Sequence, residues 1–256
     1  MQRRIDLNCD MGESFGAWRM GDDAGVMPWI TSANIACGFH AGDSATMEAT
    51  VALAHAHGVA IGAHVGLPDL AGFGRREMAI DAAQVYAYTL HQLGALSAFA
   101  CAAGARMRHV KAHGALYHMV AREATLAAGL VRAILDFDAQ LWVYGPTPSA
   151  LAVACANARV EFVAEAFADR RYATDGRLIP RTQSGAVIER VDDAVAQALL
   201  LIDSAACRDA GDASGRRVDT LCLHGDRDDA AQFARVLREA LDSAGVAILA
   251  PGHARP

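Results

Sequence analysis

Arg4-Ile5-Asp6-Leu7-Asn8-Cys9-Asp10 alternates apolar and polar side chains along its length. A period of two is the signature of a strand, and it places Asp6, Asn8 and Asp10 on one face. Similar short runs, apolar or β-branched and closing on polar residues, recur at 32–37, 59–63, 107–111, 141–144, 160–164 and 218–223. A last one, 246–249, is either an eighth strand or a terminal edge. Alanine-rich stretches with helical patterning lie between them, at 44–57, 81–103, 122–135, 149–157, 191–206 and 228–244, and alanine is the strongest helix former. Asp81 with Gln84 has the spacing of a capping box, Gly58 suits a helix C-cap, and Pro148 suits a first helical turn. Strand–helix alternation predicts a parallel sheet with helices outside it. At 256 residues the chain has the usual size of one α/β barrel. We therefore expect an α/β fold, a single (β/α) barrel spanning residues 1–256 as one domain.

Composition narrows the function. Lys plus Arg is 23 and Asp plus Glu is 29, a formal net charge of −6, with 53% hydrophobic and 20% charged residues. That balance excludes a disordered chain and argues against a nucleic-acid partner, which a basic excess would signal. The densest apolar stretch, 194–202, is interrupted by Gln197 and falls well short of a membrane span. No apolar segment follows Arg3 and Arg4, as a signal peptide would require. The six cysteines include no CxxC pair and read as reduced thiols of a cytoplasmic protein. The polar stretch 208–217 is the best candidate for a mobile loop.

Polar residues gather where the predicted strands end. Asp10 and Glu13 follow the first strand, His40 and Asp43 the second, His64, Asp69 and Arg75 the third. Lys111, His113 and Tyr117 follow the fourth; Glu165, Asp169, Arg170 and Tyr172 the sixth; His224 and Asp226 the seventh. In a parallel barrel all these ends meet on one face, where the loops build an active site. Each residue also has a plainer reading. Asp43 suits a helix N-cap, Arg75 and Arg76 a solvated loop, and Lys111 the neutralisation of a buried acid. Asp6, Asn8 and Asp10 would serve a cation or acid–base chemistry if their face is the barrel interior, and otherwise mark a solvent-facing edge strand. His109, Lys111 and His113 alternate in the same way. His55, His57, His91, His118 and His253 fall on predicted helices or the tail and read as structural or solvated. Cys37 is the one thiol at the predicted active face, with an inert role. No phosphate loop, dinucleotide fingerprint or nucleophile elbow is present.

The segments Asp6-Leu7-Asn8-Cys9-Asp10-Met11-Gly12-Glu13-Ser14 and Asn34-Ile35-Ala36-Cys37-Gly38-Phe39-His40-Ala41-Gly42-Asp43 are long and distinctive. With Gly72-Phe73-Gly74-Arg75-Arg76, Val110-Lys111-Ala112-His113-Gly114-Ala115-Leu116-Tyr117, Glu165-Ala166-Phe167-Ala168-Asp169-Arg170 and Leu223-His224-Gly225-Asp226, they resemble the LamB/YcsF family, the A subunits of bacterial 5-oxoprolinase. The resemblance implies a β/α barrel like the glycoside hydrolase/deacetylase type, with seven strands as one form. It implies ATP-dependent opening of the lactam of 5-oxo-L-proline to L-glutamate, ATP with Mg as cofactor, and the B and C subunits as partners. Ala112 stands where the family pattern suggests proline, and Val65-Gly66 where it suggests proline and a small residue.

On that footing the expected catalytic residues are Asp10, Glu13, His40, Lys111 and His113. Asp10 or Glu13 could act as general base. His40, His64 and His113 could shuttle protons or bind a divalent ion, with Asp10, His40 and His64 the candidate metal ligands. Lys111 and Arg75 could hold phosphate or the substrate carboxylate. Asn8, Asn34, His64, Arg75, Tyr117, Glu165, Asp169, Arg170 and His224 are expected to bind substrate. Two other readings remain open: a divalent-metal-dependent amide or sugar deacetylase that needs no ATP, and a non-catalytic binding subunit.

Overall fold

Alternation in the first segment produces a strand, β1 (Arg4–Met11), and its neighbours complete a closed parallel barrel. The computed structural model describes residues 3–173, 178–179, 183–209, 217–223, 225 and 229–252. His224, Asp226, His253 and most of the expected loop at 208–217 lie outside them. The remaining barrel strands are β2 (Ser32–Ala36), β3 (Ala60–Val65), β4 (Met107–Ala112), β5 (Trp142–Gly145), β6 (Phe162–Phe167) and β7 (Thr220–Leu223). Each pairs in parallel with the next, and β1 closes the ring by pairing with both β2 and β7. The barrel therefore has seven strands. The segment expected near 246–249 is β8 (Ala247–Ile248), which pairs only with Arg4 and Ile5, ahead of the point where β2 joins β1 at Asn8. It is a terminal edge.

The helices are α1 (Asp23–Val26), α2 (Ser44–Ala56), α3 (Ala82–Ala102), α4 (Gly114–Arg122), α5 (Ala124–Asp138), α6 (Ala150–Ala158), α7 (Val191–Asp209) and α8 (Ala230–Ser243). The capping box of α3 forms in full: Gln84 N donates to Asp81 Oδ1 at 2.8 Å and Asp81 N to Gln84 Oε1 at 3.1 Å. Gly58 closes α2 with φ +66°, where a left-handed residue satisfies the last carbonyls. Two expectations need correction. Pro148 is not in a first helical turn, because Ser149 is the N-cap of α6 and Pro148 precedes it. The stretch 114–121, which falls outside the helical stretches read from the sequence, belongs to the helix α4. It is broken from α5 at Glu123, whose backbone is extended (φ −113°, ψ 109°). Leu116, Tyr117 and Val120 supply α4 with a buried stripe at helical spacing.

One set of alternate strand residues is apolar and packs in the core: Ile5, Leu7, Cys9 and Met11 on β1, Ile61, Ala63 and Val65 on β3, Val110 and Ala112 on β4. The other set is polar and points into the barrel. It includes Asp6, Asn8, Asp10, Ser32, Asn34, His64, His109, Lys111, Tyr144, Glu165, Thr220 and Cys222, which meet one another across the interior. Barrel interiors of this type usually stack branched apolar residues. Buried polar atoms are tolerable only where partners replace the lost water, and here the interior provides them in layers.

Candidate active site

The lowest layer centres on Asp6, 1% exposed. Its carboxylate accepts hydrogen bonds from Thr31 Oγ1 (2.6 Å), Ser32 Oγ (2.8 Å), Thr220 Oγ1 (2.6 Å) and Tyr144 Oη (3.1 Å). Burial raises its pKa, and the four donors pull it back in part. Above it Asn8 Nδ2 donates to Thr220 Oγ1 at 2.8 Å, and Asn34 Nδ2 donates to Asn8 Oδ1 at 2.7 Å. His109 Nε2 lies 2.7 Å from Asn34 Oδ1, and its ring stacks on Tyr144. Gly62 makes room for that ring, since a Cβ there would sit 2.1 Å from His109 Nε2.

Lys111 is the hub of the next layer. Its Nζ lies 2.9 Å from Asp10 Oδ1 and 2.8 Å from Glu165 Oε1, and donates to Cys222 Sγ at 3.1 Å and Asn8 Oδ1 at 3.3 Å. Burial works against its charge. Asp10 and Glu165 more than reverse this, so the ammonium is held well above the usual lysine range. Asp10 Oδ1 also accepts from Asn34 Nδ2 at 2.9 Å, while Oδ2 lies 3.3 Å from His64 Nε2. Tyr117, on α4, faces Glu165; burial first and that carboxylate second push its phenol well above the ordinary range.

Three imidazoles and a carboxylate crown the mouth. His113 Nδ1 lies 2.9 Å from His64 Nε2, and His40 stacks on His113 with ring centroids 3.8 Å apart. Glu13 Oε1 lies 3.9 Å from His113 Nδ1 and 4.0 Å from His40 Nε2. One ligand atom from each of Glu13, His40, His64 and His113 fits within 4.8 Å of the other three, so this buried group could hold a metal ion. Burial, then the neighbouring histidines, lowers His40 well below the ordinary imidazole value; burial, then His64, lowers His113 to about 3.

The structure thus brings Asn8, Asp10, Glu13, Asn34, His40, His64, Lys111, His113, Tyr117 and Glu165 together. Arg75 is exposed, its guanidinium 4.9 Å over the Phe73 ring, and the Phe73 carbonyl lies 2.8 Å from His113 Nε2. Asp169 and Arg170 are buried in the loop after β6; Arg170 Nη2 donates to Ile179 O at 2.6 Å, and Gln197 holds the Arg170 carbonyl. Asp43 caps α2 through Thr46 N at 2.8 Å, and Asp69 pairs with Arg76 across a turn. Their sequence positions are explained by those local bonds. His109, Ser32, Tyr144 and Thr220 join the site without being among the residues expected to bind or catalyse. For His109 its alternation with Lys111 is the available signal; the others depend on strand register. Cys222 touches Lys111, so Cys37 is not the one thiol near the site. Burial pushes Cys37 up to about 12 and Cys222 well above its ordinary value, which leaves both as neutral thiols.

A closed β/α barrel with paired charges and convergent imidazoles at the carboxyl ends of its strands is the architecture of an enzyme. The chain belongs to the LamB/YcsF family, whose model matches residues 5–255. It is 52% identical over 251 residues to a 5-oxoprolinase A subunit from Bordetella pertussis, covering 98% of this chain and all of that one. It is 50% identical over 250 residues to a 5-oxoprolinase A subunit from Geobacillus kaustophilus, with 97% of each chain covered. Among solved structures, a lactam utilization protein from Thermus thermophilus superposes with a TM-score of 0.86 at 41% identity, over 96% of this chain and 99% of that one. A T48 deacetylase shares the fold, with a TM-score of 0.50 and 11% identity over 97% of this chain and 88% of that one.

Proposed function

We propose that this chain is the A subunit of an ATP-dependent 5-oxoprolinase, acting with B and C subunits in the cytoplasm to open the lactam of 5-oxo-L-proline to L-glutamate. The observation that carries the reading is the match at about half identity, end to end, with proteins named as 5-oxoprolinase A subunits. Three imidazoles and one carboxylate suit magnesium poorly, because magnesium takes oxygen ligands in an octahedral shell. We therefore assign ATP and its Mg to the assembled enzyme.

The chain's own residues account for ring opening. A lactam is a resonance-stabilised amide, so water must be activated and the developing charge held. Asp10 is the general base. Lys111 and Asn34 occupy its Oδ1 and favour the carboxylate form, while Oδ2 points toward the histidines. Water adds to the carbonyl carbon, its proton passes to Asp10, and the carbon–nitrogen bond breaks. Asp10 returns that proton to the ring nitrogen, which becomes the amino group of glutamate, and His64, 3.3 Å from Asp10 Oδ2, orients the carboxylate. Arg75 at the rim binds the substrate carboxylate, a pairing that guanidinium geometry favours. Glu165 and Tyr117 position Lys111 from the other side; Asn34 donates to the Asp10 carboxylate from below, and Asn8 accepts from Lys111 and Asn34. Asp169 and Arg170 shape the wall, and His224 is a further candidate.

The test is glutamate release from 5-oxoproline, with and without ATP, as B and C subunits are added to this chain. Release that needs ATP and all subunits is the expected result. A second reading, a metal-dependent deacetylase, draws its support from the Glu13–His40–His64–His113 group. No release from any mixture, together with chelator-sensitive hydrolysis of simple acetamides without ATP, would replace the first reading by the second.

A further inference from the structure

His64 and His113 meet nitrogen to nitrogen at 2.9 Å, and their far nitrogens decide what lies between them. His113 Nε2 is 2.8 Å from the carbonyl of Phe73, and His64 Nδ1 is 3.3 Å from the carbonyl of Lys111. A carbonyl oxygen only accepts, so each far nitrogen carries the N–H. Each near nitrogen of the neutral rings then presents a lone pair. Two lone pairs face each other with no proton between them, an arrangement that calls for a positive charge. Asp10 Oδ2, 3.3 Å from His64 Nε2, and Glu13 Oε1, 3.9 Å from His113 Nδ1, add acceptors on the same spot and no donor.

His40 supplies a second, independent observation. Its ring is fully buried, and neither nitrogen has a hydrogen-bond partner. Leaving a buried imidazole unsatisfied costs free energy without return, yet the surroundings hold the ring in place. Gly66 and Gly74 leave room for it, since a Cβ at Gly66 would lie 2.4 Å from His40 Nδ1 and one at Gly74 would lie 2.8 Å from His40 Cβ. Nε2 is left on the side of Glu13, at 4.0 Å. The carbonyls behind His64 and His113 correspond to the outer partners that fix the tautomer and ring orientation of metal-binding histidines.

We propose that Glu13, His40, His64 and His113 bind one borderline divalent transition cation, of the zinc or cobalt type, with Asp10 beside it as a second carboxylate. Imidazole nitrogens suit such ions, and a lone carboxylate among them does not suit magnesium. Of the ligands expected from sequence, His40 and His64 stay in the set, Glu13 and His113 join it, and Asp10 moves to its edge. The assignment of the cation to these residues does not rest on the proposed lactam opening.

The experiment uses the full chain, stripped with chelator and titrated with cobalt. The expected result is one cobalt ion per chain with a visible ligand-field band, displaced by zinc and untouched by magnesium in excess. His40→Gln and Glu13→Gln should each weaken cobalt binding at least about tenfold, with the far-ultraviolet circular dichroism of the parent. A folded parent chain that takes up no stoichiometric cobalt overturns the proposal, as does undiminished binding by both folded variants. If the variants fail to fold, the cobalt-loaded parent decides: its pulsed electron paramagnetic resonance must show hyperfine coupling to histidine nitrogen, and the absence of that coupling overturns the assignment. Cobalt binding without lactam opening in the assembled enzyme would refute the functional reading and leave this one standing.

Discussion

Lys111 joins the buried carboxylate of Glu165 to the largely buried one of Asp10, which would otherwise repel each other. Removing one partner of a buried ion pair typically costs about 3–5 kcal/mol, because the remaining charge has lost its compensation. Lys111→Met keeps the stem and deletes the charge, and leaves Asp10 and Glu165 facing each other. We expect it to lose about that much stability in chemical denaturation. Asp10→Asn should behave differently. Lys111 keeps Glu165 as partner, so the fold persists, while glutamate release by the assembled subunits falls at least about a hundredfold with the loss of the base. Release at the parent rate from Asp10→Asn would remove Asp10 from the mechanism.

Among the elements, α3 has the most complete start signal and β6 the least expected end. The reciprocal bonds of Asp81 and Gln84 satisfy two backbone donors that the first turn would leave open. Asp81→Ala should lower stability by about 1 kcal/mol, read as a lower midpoint in thermal or denaturant unfolding with no change at the distant mouth. An unchanged midpoint would mean that the packing of α3 alone fixes its first turn. For β6, the sequence suggests a strand over 160–164, but the paired element is Phe162–Phe167. The shift puts Glu165 inside the strand and within reach of Lys111. The apolar run of Val160 and Phe162 marks the strand's existence, but only its pairing with β5 and β7 fixes which residues face inward. Helix α4 is hidden in the sequence because Gly114 and His118 dilute its pattern, and because it follows β4 without a connecting loop.

Across the molecule, the polar interior makes stability depend on pH. Burial first, and the charge of Lys111 second, lower His109 from an ordinary 6.5 to about 3. The unfolded chain takes up a proton near 6.5, and the folded one only near 3. Stability from this residue is therefore full above 6.5 and declines as pH falls between those values. His109→Gln retains a donor toward Asn34 and cannot titrate. It should flatten the acid limb of the stability profile by about 1.4 kcal/mol per pH unit, measured by denaturant unfolding between pH 6 and pH 4. Identical slopes for parent and variant would show that His109 is protonated in the folded state. No helix among the described residues is long and apolar enough to cross a membrane.

The alternation of strands and helices apart from α4, the shared face of Asp6, Asn8 and Asp10, the caps of α2 and α3 and the clustering of polar groups after strands all follow from the sequence, because periodicity, capping and turn chemistry act within a few residues of one another. So does the family resemblance, carried by contiguous motifs such as Asn34 to Asp43. The tertiary structure alone decided the closure at seven strands, the partnership of Lys111 with Asp10 and Glu165, and the gathering of Glu13, His40, His64 and His113. These join residues on or just after different strands, up to 214 positions apart in the case of Asp6 and Thr220. Their distances are set by strand register and barrel closure. The same side chains could pair in several ways until the ring of hydrogen bonds between β1, β2 and β7 fixes which of them share a layer.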